Sequence, residues 1–204
     1  MVLRPLVMLE IPTDHGPARA LVQEAPSARA ALALGHGAGG SVSAPDLQAA
    51  TRAALEEGVT VALVEQPYRV AGRRSAPPAP KLDAAWTTVI DALGFDLPLI
   101  TGGRSSGARV ACRTAAATGA VAVLCLAFPL QPPRRRSGEL PPDRLPELDD
   151  VEVPVLVVQG ESDRFGIPPT AARRDVVRVP GDHGLKKDLP AVGAAVRDWL
   201  RTVL

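Results

Sequence analysis

The sequence is poor in aromatic residues and has almost no excess of charge. Aromatic residues make up 3% of its 204 positions, which argues against the aromatic platforms that stack on nucleic-acid bases or sugars. Its 23 basic and 22 acidic residues leave a net charge of +1, so no overall field favours nucleic acid or an anionic membrane. We therefore expect neither a nucleic acid nor a membrane among its partners.

Cysteines are scarce too, and long hydrophobic runs are missing. Cys112 and Cys125 both lie in apolar segments without the spacing of a metal site, so we interpret them as reduced core residues of a cytoplasmic protein. The longest uncharged apolar run, residues 120–128, is roughly half as long as a membrane helix requires. No secretory signal is expected, because charged residues and a proline interrupt the apolar residues of positions 1–11.

Short apolar runs alternate along the chain with segments of helical spacing. Continuous apolar runs at residues 30–34, 59–64 and 121–128 are typical of strands buried in a parallel sheet. Helical spacing is found at residues 45–57 and, in amphipathic form, at Leu189–Val203. The alternation predicts an α/β fold, with a doubly wound, mostly parallel sheet and helices on both faces.

The chain length suits one domain, and we expect residues 1–204 to form a single α/β unit. Residues 129–150 differ in composition, since their first eighteen positions hold six prolines and a run of three arginines at 134–136. This composition predicts a surface excursion over one end of the sheet, a minimal cap and a solvated arginine run. A short helix is expected at residues 168–173, before a last strand at residues 175–179.

A Gly-x-Ser-x-Gly motif at residues 103–107 follows an apolar run at residues 97–101 and leads into an Ala-rich helical pattern at residues 106–118. A strand, a sharp turn and a helix in this order expose a nucleophilic serine, here Ser105. The two glycines of the motif remove Cβ atoms that would collide where strand and helix pass closely. The alternative is a glycine-rich turn with a solvated serine. The neighbouring Ser106 is not the candidate nucleophile, because it lacks the flanking glycines.

Ser105, Asp163 and His183 each follow the end of an apolar run, and their order is that of the serine, acid and histidine in α/β-hydrolases. His183 is the candidate base, because a serine hydroxyl needs an imidazole that removes its proton during attack. Asp163 is the candidate acid that fixes the tautomer and stabilises the imidazolium. Asp149 or Asp150 is the fallback acid.

The glycine-rich segment at residues 35–40 (Gly-His-Gly-Ala-Gly-Gly) follows a predicted strand and indicates an oxyanion hole. The expected donors are the backbone N–H groups of Ala38 and Ser106. Phosphate binding is the competing interpretation, but the segment lacks a Gly-Lys-Ser/Thr ending. His36 could serve as a base, but we interpret it as a residue that holds this loop. We interpret Asp182 as one that caps or solvates the turn before the candidate base.

With these motifs in place, the chain resembles the α/β-hydrolase superfamily. Within it, the sequence is similar to a small dienelactone-hydrolase-like branch that includes the testis-expressed and NSL-complex-subunit-3 proteins. The resemblance spans nearly the whole chain and rests on four segments: residues 35–40, Pro67-Tyr68 with Gly72-Arg73-Arg74, residues 102–107 and residues 160–163. It implies Ser105, Asp163 and His183 as a catalytic triad, without a metal or an organic cofactor.

The chain departs from that family at the nucleophile, which is serine where dienelactone hydrolases use cysteine, so their substrate is not carried over. We expect a serine hydrolase that cleaves a small ester or thioester through an acyl-enzyme, with a small acyl substrate as partner. A homodimer is left open. Because the branch also contains proteins that act by interaction, the alternative is a catalytically silent fold that serves as a protein-interaction or ligand-binding module.

Overall fold

A computed structural model describes residues 5–134 and 137–204, and an eight-stranded sheet runs through its centre. The strands are β1 (Val7–Ile11), β2 (Ala18–Gln23), β3 (Ala30–Gly35), β4 (Val59–Glu65), β5 (Leu99–Arg104), β6 (Ala122–Leu126), β7 (Val155–Gly160) and β8 (Arg174–Val179). The helices are α1 (Pro45–Glu56), α2 (Pro67–Val70), α3 (Ala79–Leu93), α4 (Ser106–Thr114), α5 (Leu145–Asp149) and α6 (Leu189–Val203).

The strands lie in the order β1-β2-β4-β3-β5-β6-β7-β8. Strand β2 is antiparallel to both of its neighbours, and every pairing from β4 to β8 is parallel. The mostly parallel sheet expected from the apolar runs is therefore confirmed. In this arrangement the carboxyl ends of five central strands meet at one edge, where ligands bind in such sheets.

Strand β3 shows why both faces of the sheet are covered. All of its residues are buried, and they alternate between two core clusters. Leu32 and Leu34 pack in the cluster that contains residues of α1 and α6. Ala31 and Ala33 pack in the cluster that contains residues of α3. Helices on both faces, as predicted, thus follow from a strand that is apolar at every position.

Three local predictions differ from the structure, one of them at the helix predicted for residues 106–118, since α4 ends at Thr114. Residues 168–173 form no helix; they are irregular, with a single bridge between Ala171 and Arg174. Two adjacent prolines, Pro168 and Pro169, explain this, because proline lacks an N–H and disfavours helical backbone in the residue before it. The strand that leads to Ser105 also differs from its predicted range of residues 97–101, because β5 begins at Leu99 and ends at Arg104.

The described part of residues 129–150 contains one short helix, α5, and no strand. The segment is attached to the loop after β7, because the backbone N–H of Gln131 donates to the carbonyl oxygen of Phe165 at 2.7 Å. Arg135 and Arg136 of the arginine run lie outside the described residues. Among the described helices, none is long and apolar enough to cross a membrane.

Glycines let β3, β5 and α4 approach more closely than side chains would permit. A Cβ atom at Gly103 would lie 2.5 Å from the carbonyl oxygen of Gly35, and one at Gly107 would overlap with the same oxygen. The predicted reason for the two motif glycines is therefore confirmed. Their close approach allows the chain to turn sharply at Ser105.

We predict that Gly107→Ala destabilises the protein by about 1–3 kcal/mol or more, because backbone atoms cannot move away as a flexible side chain can. Gly39→Ala is the matched control, since nothing lies within 4 Å of its added Cβ atom. Its unfolding free energy should stay within about 0.5 kcal/mol of the wild type. Urea denaturation followed by circular dichroism measures both, and equal stabilities would contradict the packing argument.

Candidate active site

Ser105 sits in a strained turn between β5 and α4. Its φ of 52° and ψ of −107° place it outside the favoured regions for a residue with a side chain. The turn is held because the backbone N–H of Ser105 donates to the carbonyl oxygen of Leu126 at 2.9 Å. The hydroxyl is thereby presented at the carboxyl edge of the sheet, at the N-terminal end of α4.

His183 lies in the loop after β8 and connects two distant side chains. Its Nε2 is 3.0 Å from Ser105 Oγ, and its Nδ1 is 2.7 Å from Asp163 Oδ2. Because a carboxylate can only accept, Nδ1 carries the hydrogen and donates to Asp163, which leaves Nε2 free to accept from the serine hydroxyl. The structure thus brings together the three side chains that the sequence singled out.

The Asp163 carboxylate is fully buried and held on both oxygens. Oδ1 accepts from the backbone N–H of Phe165 at 2.9 Å, and Oδ2 accepts from Gln159 Nε2 at 2.8 Å as well as from His183. The ring of Phe165 meets the His183 ring edge to face, with centroids 4.5 Å apart. The acid and the imidazole are therefore fixed relative to each other before any ligand arrives.

The fallback acids lie elsewhere. Asp149 pairs with Arg174 at 2.9 Å, and Asp150 is exposed at the end of α5; neither contacts His183 in the described structure. Asp182 accepts from the backbone N–H of Gly184 at 2.8 Å, which is the turn-capping arrangement expected for it. Asp163 is the carboxylate that reaches the imidazole.

The loop at residues 35–40 passes directly beside the serine, since a Cβ atom at Gly37 would lie 3.7 Å from Ser105 Cβ. Tyr68 donates its hydroxyl to the carbonyl oxygen of Ala38 at 2.7 Å, and burial raises the pKa of Tyr68 to about 12, so this donor stays protonated. The backbone N–H groups of Ala38 and Ser106 have no acceptor among the described residues. Both amides are available to a bound ligand.

His36 holds this loop from inside. Its Nε2 accepts from the backbone N–H of Gln66 at 3.0 Å, so its Nδ1 is the protonated nitrogen and donates to the carbonyl oxygen of Gly37 at 2.8 Å. Burial lowers the pKa of His36 below its ordinary value of 6.5. Both ring nitrogens are occupied in the neutral state, which agrees with a structural role rather than that of a base.

Arg104 is a site residue that the sequence reasoning missed. Its Nη2 donates to the carbonyl oxygen of His183 at 3.0 Å, and its Nε lies 2.9 Å from Oδ2 of the buried Asp46 in α1. A Cβ atom at Gly37 would lie 2.9 Å from its Nη1, so the guanidinium also packs against the loop at residues 35–40. The one sequence signal is a charged residue among small ones at a strand end, where burial requires a partner.

Gln159 was also missed. It is fully buried at the end of β7, and its Nε2 lies within hydrogen-bond distance of Asp163, the carbonyl oxygen of Phe128 and that of Gly166. A glutamine in an otherwise apolar run was the available signal. Its amide joins the acid to the neighbouring loops.

No metal site is found in the residues that the structure describes, and both cysteines are buried. The described residues contain no group of three or more His, Cys, Asp and Glu side chains placed to hold a metal ion. Cys112 and Cys125 are free and buried, with their sulfur atoms 3.5 Å apart. This contact with Cys112, together with burial, raises the pKa of Cys125, which keeps that thiol protonated and unreactive.

Residues 28–187 match the family model of an alpha/beta hydrolase domain, so the chain belongs to the alpha/beta hydrolase family. No curated protein matches the sequence. The fold is shared with Est1E from Butyrivibrio proteoclasticus (TM-score 0.75, 17% identity, 96% of this chain and 98% of that one). It is shared also with XC6422 from Xanthomonas campestris, described as a serine hydrolase without a lid (TM-score 0.76, 22% identity, 100% of this chain and 98% of that one).

A dienelactone hydrolase from Anabaena variabilis has the same fold (TM-score 0.76, 15% identity, 97% of each chain). The predicted membership of the α/β-hydrolase superfamily, with a dienelactone-hydrolase-like fold, is confirmed. Together these findings support a hydrolase function at the level of the family.

We predict that protonation of His36 destabilises the protein in acid. Because its pKa is lower in the folded than in the unfolded protein, its contribution to stability is complete above about pH 6.5 and is lost as the pH falls below that value. The unfolding free energy of His36→Gln should therefore depend less on pH between 7.5 and 5 than that of the wild type. His15→Gln, at an exposed turn position, should keep the wild-type slope.

We predict that Arg104→Met separates folding from activity. It leaves the buried Asp46 carboxylate unpaired and should lower the unfolding free energy by about 3 kcal/mol. Arg104→Met combined with Asp46→Leu should regain most of that stability but keep a reduced kcat, because the bond to the His183 carbonyl is still absent. Thermal denaturation and ester hydrolysis measure the two effects; full activity in the double variant would show that Arg104 serves only stability.

Proposed function

We propose that the protein is a serine hydrolase that cleaves a small ester or thioester through an acyl-enzyme intermediate. The observation that carries this proposal is the hydrogen-bonded line from Ser105 through His183 to Asp163, with contacts of 3.0 and 2.7 Å. Each residue type suits its place: a hydroxyl that attacks, an imidazole that takes its proton and a carboxylate that stabilises the resulting cation.

In the first half of the reaction, Ser105 Oγ forms a bond to the carbonyl carbon while its proton moves to His183 Nε2. The tetrahedral intermediate collapses when the bond to the leaving oxygen or sulfur breaks and His183 returns the proton to that atom. In the second half, His183 takes a proton from water, the hydroxide attacks the acyl group, and Ser105 leaves with the proton. Acid and free alcohol or thiol are the products.

The negative charge of the intermediate needs donors that are oriented beforehand. The unoccupied backbone N–H groups of Ala38 and Ser106 support this role, because they flank Ser105 from the loop at residues 35–40 and from the start of α4. Removing one such donor typically lowers turnover by roughly 10² to 10³. The bond between Tyr68 and the Ala38 carbonyl holds the first donor in place.

Two fold neighbours have names that fit an ester or thioester substrate. Est1E has been described with bound ferulic acid, and a thioesterase domain of the curacin biosynthetic pathway also shares the fold (TM-score 0.67, 14% identity). These names support the reaction class proposed for this chain.

We predict that a fluorophosphonate probe labels the wild type but not Ser105→Ala, and that this change lowers kcat for p-nitrophenyl butyrate by roughly 10⁴ to 10⁶ without unfolding the protein. Ser106→Ala is the matched control, because it removes a neighbouring hydroxyl but keeps the backbone N–H. It should be labelled like the wild type. The hydrolase proposal would be contradicted if Ser105→Ala were labelled as strongly as the wild type, or if no form of the protein were labelled. The fold would then serve as a binding module.

A further inference from the structure

A cavity of about 520 Å³ is lined by Tyr68, which is bonded to the loop at residues 35–40, and by none of Ser105, Asp163 and His183. It lies at the carboxyl end of β4 and the start of the antiparallel β2, which is the edge of the sheet that also carries Ser105. Asp14, Gln66, Tyr68, Arg73 and Lys81 are among its lining residues. Neither the proposed reaction nor the hydrogen-bonded line makes use of this space.

Tyr68 connects the cavity to the site of the proposed reaction. It lines the cavity, and its hydroxyl is bonded to Ala38, whose N–H is a proposed oxyanion donor. Strand β4 is two strands away from β5, which ends at the serine. With strands about 4.8 Å apart, the cavity begins roughly 10 Å from Ser105. An acyl chain of about that length would span the distance from the serine to the cavity.

The cavity carries two cations without ion-pair partners. Arg73 and Lys81 are exposed, and neither contacts a carboxylate in the described part of the chain; Asp14 is the acidic residue among the lining residues. Arginines close to the serine are paired instead, as in Arg104 with Asp46 and Arg109 with Glu147. The surplus positive charge favours an anionic group in the cavity.

A buried acceptor in the lining is also unused. Gln66 is 6% exposed; its Nε2 donates to the carbonyl oxygen of Leu82 at 3.2 Å, and its Oε1 has no hydrogen-bond partner among the described residues. This oxygen has almost no accessible surface, and an amide oxygen can only accept, so Gln66 supplies no contact to an anion. What the cavity offers an anion is therefore the two cations in its lining, Arg73 and Lys81.

We propose that this cavity binds the distal carboxylate or phosphate of an anionic acyl group, roughly 10 Å from the ester or thioester carbonyl. The acyl side is favoured because His183 protonates the leaving group and therefore lies on the leaving group's side, whereas the cavity lies on the side of β4. Arg73 and Lys81 hold the anion, as charge-assisted hydrogen bonds to a carboxylate or phosphate are strong. This inference rests on the proposed hydrolase function and narrows its substrates to acids with a second charged end.

The test compares mono-p-nitrophenyl esters of succinic, adipic and suberic acid with their neutral methyl esters of equal chain length. The measured quantity is the ratio of kcat/KM for the charged ester to kcat/KM for its neutral match. We expect this ratio to rise with chain length and to exceed one for suberate. In Arg73→Gln/Lys81→Gln it should fall roughly 10- to 100-fold, mostly through KM.

Arg74→Gln is the matched control for Arg73→Gln measured alone, because each removes one positive charge from an exposed side chain and Arg74 is not among the lining residues. The control should keep the wild-type ratio; an equal fall in it would reduce the effect to general electrostatic attraction and overturn the cavity assignment. A ratio near one at every length would overturn it too. If the probe labels Ser105 and neutral esters are cleaved, either of these two contradicting results overturns the cavity assignment but not the proposed hydrolase function. If Ser105 is not labelled and no ester is cleaved, the hydrolase function itself is overturned.

Discussion

The hydrogen-bonded position of His183 between Ser105 and Asp163 is the contact on which the proposed chemistry depends. The imidazole has to meet residues that are 78 and 20 positions away in the chain. Parallel strands make this meeting possible, because their carboxyl ends lie at one edge of the sheet. The end of β7 also lies tightly beneath the His183 loop: a Cβ atom at Gly160 would overlap with the carbonyl oxygen of Asp182.

Buried polar groups keep this geometry. Gln159 and the backbone of Phe165 hold the acid, and Arg104 ties the His183 loop to Asp46. Such groups are costly to bury unless they are paired, so each of them favours one arrangement of the loops. The site is therefore oriented before a substrate binds, which is the condition for electrostatic stabilisation of a developing charge.

The sheet and the three aligned side chains could be predicted because they follow from local patterns. Buried parallel strands are continuous apolar runs, and Ser105, Asp163 and His183 stand where such runs end. Arg104 and Gln159 could not be assigned, because their partners come from distant segments that no local pattern connects. The sequence favoured Asp163 as the acid but kept Asp149 or Asp150 as the fallback, because no local pattern shows where each loop lies. The helix predicted at residues 168–173 ignored the effect of two adjacent prolines.

The proposed roles of Ser105, His183 and Asp163 are tested most directly by the rate at which the serine is acylated when the acid can no longer orient the imidazole. In Asp163→Asn the amide would favour the wrong tautomer of His183, and we expect the single-turnover acylation rate to fall by roughly 10⁴, with the fold intact. Asp150→Asn, which removes a carboxylate that does not contact His183, should acylate at the wild-type rate. Wild-type acylation in Asp163→Asn would contradict the proposed role of Asp163 in orienting His183.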